Sequence, residues 1–170
     1  KGNQISGTIF FSEKGVVPHY RLELEKLDIQ HIPNITTDHE FSHSPPSIDG
    51  SIKTLIFRNR KLGELNFKLS NAGYISRLEK FELKGEKISI AMEGAWERNT
   101  EFTSAKIDAI GENLTAILSL IKVDLAGLEA NRSTFSLDGR WKGSPYDLEF
   151  ANMEGTLNFT LREGRLLDLE

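Results

Sequence analysis

The chain of 170 residues carries no cysteine, a hydrophobic share of 38%, a charged share of 27% and a net charge of −4. The missing thiols exclude a disulfide framework, a thiol nucleophile and a cysteine zinc site. The charge divides as −2 over residues 1–46, +2 over 47–123 and −4 over 124–170, so no block is basic enough to follow a phosphate backbone and nucleic acid is not an expected partner.

Alternation of apolar and polar residues with a period of two recurs along the chain. It covers residues 5–11, 20–29, 48–57, 65–69, 78–83, 88–92, 102–109, 134–141, 146–150, 156–161 and 166–169. Successive side chains of a strand point to opposite faces, so each run predicts a strand with one apolar and one wet face. Ten or eleven short strands separated by Gly, Asn, Lys and Glu turns predict a mainly β, antiparallel architecture. Two runs change phase: Tyr20, Leu22 and Leu24 give way to Leu27 and Ile29, and Ile52 gives way to Leu55 and Phe57. A slip of one residue inside a strand predicts a bulge, which bends and twists the sheet.

Two segments break the period. Residues 33–46 are polar, bounded by Pro33 and by Pro45-Pro46, and predict a surface loop. Over residues 112–122, Leu114, Ile117, Leu118 and Ile121 fall at i, i+3, i+4 and i+7, which predicts one short helix plugging an open end of the sheet. No run of about 18 apolar residues predicts a helical membrane span.

Candidate chemistry is sparse. The polar loop contains His39-Glu40-Phe41-Ser42-His43, a literal H-E-x-x-H. That motif needs a helix to bring both histidines to one metal. Here β-branched Ile35, Thr36 and Thr37 precede it and Ser44-Pro45-Pro46 follow, with no amphipathic stripe, so a solvated loop is expected and no metal. The carboxylate pairs Glu23/Glu25, Glu79/Glu82 and Asp147/Glu149 lie on wet strand faces, without the cleft that acid–base pairs require. Lys53, Arg58, Arg60 and Lys61 surround a predicted hairpin turn. No phosphate loop, nucleophile elbow or catalytic triad is present, so the chain reads as non-enzymatic with no cofactor.

The apolar face is the functional feature. Leu65, Phe67 and Leu69 alternate with polar neighbours such as Lys68; Ile88, Ile90 and Met92 do so around Ser89. Phe135 and Leu137 continue the pattern, then Leu148 and Phe150 around Glu149, and Leu157 and Phe159 around Asn158. These twelve residues are expected on one concave side. Burying each large apolar side chain is worth roughly 1.5–3 kcal/mol, so the face must be covered by protein, by a partner or by lipid.

Residues 47–170 carry a series of motifs in fixed order. Pro46-Ser47-Ile48-Asp49 leads to Arg60-Lys61-Leu62-Gly63-Glu64-Leu65, then to Leu78-x-x-Phe81-x-Leu83 and Ile88-Ser89-Ile90-Ala91-Met92-Glu93-Gly94-Ala95-Trp96. Asp138-Gly139-Arg140-Trp141-Lys142-Gly143-Ser144-Pro145-Tyr146-Asp147-Leu148 follows, then Met153-Glu154-Gly155-Thr156-Leu157 and Glu163-Gly164-Arg165-Leu166-Leu167. This series resembles the AsmA-like superfamily, most closely the C-terminal part of its YhdP branch. Residues 1–46 fit more loosely, through Ser6-Gly7-Thr8-Ile9 and Leu24-Glu25-Lys26-Leu27-Asp28-Ile29. The resemblance implies a curved β-groove within a longer periplasmic protein, anchored in the inner membrane by a segment outside residues 1–170. It implies passive phospholipid movement between inner and outer membranes, supporting the outer-membrane permeability barrier, with phospholipid acyl chains as partners along the twelve residues above. The residues alone leave a second reading open, a closed β-sandwich serving as a binding or interaction module. They also predict that a charge at Ile90 or Phe159 is tolerated in an open groove and not in a closed core.

Overall fold

Strands that are apolar on one side only can share a single sheet if their register keeps that side continuous. The computed structural model describes residues 3–12, 18–30, 46–112, 128–148 and 152–166. Among these residues nine strands form one sheet: β1 (Gln4–Ser12), β2 (His19–Ile29), β3 (Ser47–Phe57), β4 (Arg60–Ala72), β5 (Ile75–Lys84), β6 (Ile88–Glu97), β7 (Phe102–Gly111), β8 (Leu128–Lys142) and β9 (Met153–Leu166). Their spatial order is their chain order, with β1 and β9 at the two edges. The sheet is therefore open, neither a closed sandwich nor a barrel.

Seven of the eight pairings are antiparallel and one differs from expectation: β2 and β3 run parallel. Parallel neighbours need a crossover of a dozen or more residues. The chain between the two strands, residues 30–46, is long enough for one. The β3–β4 hairpin turns at Arg58 and Asn59, with φ of 46° and 63°. Two consecutive positive φ values match the right-handed twist of the flanking strands, and the turn sits inside the predicted basic cluster.

Register carries the apolar face across the whole sheet. One rung runs Ile9, Leu22, Gly50, Phe67, Phe81, Met92, Ile107, Leu137 and Leu157. The next runs Gly7, Leu24, Ile52, Leu65, Leu83, Ile90, Ala109, Phe135 and Phe159. The two phase slips are bulges, as predicted: two β2 steps lie between the partners of Ser6 and Gly7, and the β3 register shifts between Ile52 and Leu55. A third bulge in β5 lets Leu78 and Phe81 face the same side, opposite Gly94 and Met92. Without these insertions each strand's later half would turn its apolar residues to solvent.

The substantial contacts of each strand are with its sheet neighbours alone. A flat sheet of one layer leaves both faces wet, yet Leu137 is 0% and Phe135 2% exposed. Curvature brings the inner side chains of β2–β8 together, while the edges stay open: Ile5 on β1 is 60% exposed and Leu157 on β9 is 39% exposed. The opposite face is charged. Lys53 bonds Glu25 at 2.7 Å and Lys87 bonds Glu112 at 2.8 Å, each holding the lysine above its ordinary range. Lys68 draws Glu79 below the usual carboxylate range, and Lys84 with Lys80 does the same to Glu82. These exposed pairs are screened by solvent and add little stability. They mark the convex side as solvated.

Three expectations are revised or fall elsewhere. Residues 145–147 form a 3-10 turn instead of the start of a strand over 146–150, because Pro145 fits the first helical position and Ser144 caps it. The runs at 156–161 and 166 belong to one strand, β9. The helix expected over 112–122, the histidine loop and Phe150 lie outside the described residues, apart from Glu112.

The gradient of burial along one rung is measurable. Leu137→Ala should cost about 2–5 kcal/mol, as for a buried leucine. Its direct partner Leu157, on the open edge, should cost about 1 kcal/mol or less when replaced by alanine. Urea denaturation of the two variants checks this; equal losses would mean that the edge is covered as tightly as the centre.

Candidate binding trough on the apolar face

Between two bulky rungs lies a lane of small residues. Gly94 and Ala105 stand in register on β6 and β7, with Leu78 of β5 at one end and Gly139 of β8 at the other, where the Met153 side chain closes the lane. On one side stand Phe81, Met92, Ile107 and Leu137; on the other stand Ser76, Trp96, Thr103 and Trp141. A side chain on Gly94 would come within 2.6 Å of the Ser104 carbonyl, so backbone crowding independently restricts that position to glycine. A row that lacks bulk between rows that have it leaves a channel across the strands.

That channel is a cavity of about 440 Å³. Its floor and sides include Leu69, Leu78, Met92, Ala105, Ile107, Trp96 and Trp141, and its roof is Pro145, Tyr146 and Leu148. The size lies in the range of small-molecule sites, about 300–1,000 Å³. The roof is built locally. Ser144 donates through its N–H and its hydroxyl to Asp147 Oδ2, at 2.9 and 2.7 Å, and its hydroxyl oxygen accepts from the Tyr146 N–H at 3.3 Å. The indole N–H of Trp141 donates to the Ser144 carbonyl at 3.0 Å, tying the turn to the sheet. The Trp141 ring is thereby buried with its one polar group satisfied.

A second cavity, of about 790 Å³, adjoins the first at Trp96 and is lined by polar groups, among them Arg98, Glu101, Lys142 and Asp147. The segment 144–148 separates the two, presenting Pro145, Tyr146 and Leu148 to one side and Ser144 and Asp147 to the other.

The residues singled out from the sequence divide by depth. Leu65, Phe67, Leu69, Ile88, Ile90, Met92, Phe135, Leu137, Leu157 and Phe159 share the apolar face. Leu69 and Met92 line the cavity. Leu65, Ile88, Ile90, Phe135 and Leu137 are buried among their neighbours and form the packed floor. Leu148 also reaches the cavity, from the 3-10 turn and not from a strand. Ile90 is 9% exposed, so a carboxylate placed there would meet little water unless the face opens. Sequence reading missed Gly94 and Ala105, because counting apolar side chains gives small residues no weight. Of the roof it named Leu148, but expected it on a strand. The signal available was Trp96 and Trp141, the only tryptophans of the chain. Among the described residues no three His, Cys, Asp or Glu side chains group as a metal site.

The family model described as YhdP protein matches residues 1–170, which includes the N-terminal region that fitted more loosely by motif. No curated protein and no solved structure matches the chain.

Filling the lane tests whether it is open. Ala105→Leu adds bulk toward free space and should leave stability within about 1 kcal/mol of the parent, whereas overpacking a closed core costs about 1–3 kcal/mol. Thermal unfolding checks it, and a loss in the upper part of that range would mean that the lane is already filled by protein.

Proposed function

The chain belongs to the YhdP family, and from that membership we propose that it is a non-catalytic segment whose concave apolar face carries phospholipid acyl chains. The observation that supports this most directly is the continuous apolar rung from β1 to β9, opening at β5–β8 into the apolar cavity of about 440 Å³. Each acyl methylene moved from water to such a surface gains roughly 0.8 kcal/mol. The lining is apolar apart from the hydroxyl residues Ser76 and Thr103 on one wall, so it holds a chain mainly by surface contact and a lipid slides with little change in free energy. No covalent step is needed, and no metal or cofactor enters the reading.

In the whole protein this segment lies in the periplasm, held to the inner membrane by another part of the parent chain. The groove then passes phospholipids between the inner and outer membranes and sustains the permeability barrier of the outer membrane. An open sheet with free edges suits that role, because further strands can extend the same apolar face on either side. The direction of flow is set by the membranes at its ends and not by this segment.

Photo-crosslinking in cells tests the reading. A photoreactive residue replacing Ala105, on the inner face, should capture phospholipid, and one replacing Lys106, on the outer face, should not. Equal labelling at the two positions, or none at Ala105, would refute the groove. In the same cells Ala105→Leu should raise outer-membrane permeability to that of cells lacking the protein, with normal protein abundance.

A further inference from the structure

The small-residue lane stops at β8, and one side chain stops it. Gly139 pairs with Ala105 on β7 and with Gly155 on β9, so the row itself stays free of bulk. A Cβ built on Gly139 would lie 2.7 Å from Sδ and 3.1 Å from Cγ of Met153. The nearest backbone atom to it, the Glu154 carbonyl oxygen, is at 3.5 Å, an ordinary contact. At Gly94 and Gly111, by contrast, the first obstacle is a backbone carbonyl at 2.6 Å. Gly139 also has no positive φ to favour glycine. What an added methyl would displace at this position is the Met153 thioether, so the bare face of Gly139 is a seat for that side chain.

Met153 belongs to the neighbouring row. It pairs with Trp141 across β8 and β9, yet its side chain leans from that wall into the lane. It packs on the buried core while remaining half-buried itself. The surrounding wall and roof are tied by hydrogen bonds: the Trp141 indole N–H donates to the Ser144 carbonyl, and the Thr103 hydroxyl donates to the Gly143 carbonyl at 2.8 Å. Met153 has only apolar contact to hold it. An unbranched thioether with three rotatable bonds changes position readily and fills irregular space. Beyond it the lane resumes at Gly155 and reaches the open edge, where Leu157 is 39% exposed.

We propose that Met153 is a movable plug, seated on Gly139, that closes the trough between β7 and β9 and swings aside to extend it to the sheet edge. This rests on the acyl-chain reading of the trough and adds control over how far along the sheet a chain reaches. With the plug seated, the lane ends at Ala105. With the plug moved, it gains the β8 and β9 positions, roughly 10 Å at the usual strand spacing. A chain long enough to reach β8 displaces the plug once, and every methylene after that gains contact as before.

A chain-length series reads that single displacement. The purified chain is titrated with alkyl maltosides from octyl to tetradecyl, below their micelle concentrations, following the fluorescence of Trp96 and Trp141. Each added methylene should tighten binding about fourfold. In the parent the gain should vanish over one or two chain lengths, where the plug is displaced, and then resume. Met153→Ala should give an unbroken gain, and so should Gly139→Ala, whose methyl occupies the seat. Leu157→Ala, on the same face of β9 but outside the lane, should keep the parent's step. A step that persists in either plug variant, or is missing from the parent, would overturn the plug and leave the acyl-chain reading standing. A gain that stops in the parent and never resumes would mean a fixed barrier and overturn the movable plug. Binding independent of chain length in every variant would overturn both readings.

Discussion

Register is the constraint on which everything else depends. A strand's side chains alternate strictly, so nine strands can present one apolar face only if every pairing keeps the same parity. The rung from Ile9 through Phe67, Met92 and Leu137 to Leu157 meets that condition. Where local sequence would break it, an extra residue is absorbed as a bulge, in β2, β3 and β5. The bulges also strengthen local twist and bend. The same insertions that preserve the apolar face therefore help to curve it.

Curvature decides how that face is covered. Among the described residues no second sheet packs on it, and the strands contact mainly their own neighbours. Inner side chains converge most over β7 and β8, where Ile107, Phe135, Leu137 and Trp141 are buried, and least at β1 and β9. Charges occupy the other face as exposed pairs, which keep it soluble without rigidifying it. The result is a core that is closed at its floor and open above the small-residue lane.

The two cavities follow from this arrangement. Gly94, Ala105 and Gly139 remove bulk from one row, while Trp96 and Trp141 supply it in the next. The capped turn at Pro145–Asp147 then roofs the apolar channel and walls off the polar one. Both depend on backbone positions at strand ends, where the sheet's hydrogen bonding stops and side chains from several connections converge.

Much of this is legible in the amino-acid sequence. Period-two alternation gives the β class, one apolar face and its residues. The phase slips at Leu24–Leu27 and Ile52–Leu55 locate two of the bulges, because both signals are local to one strand. Tertiary structure alone decided the parallel β2–β3 pairing, since alternation within a strand does not report the direction of its neighbour. It alone separated Ile90 and Leu137, packed into the floor, from Met92 and Leu69, open to the trough, because alternation reports a side chain's face and not its depth. It also assembled the site from Gly94, Ala105, Trp96, Trp141 and the 145–148 segment, residues distant in the chain whose adjacency is created only by pairing strands β6, β7 and β8 in register.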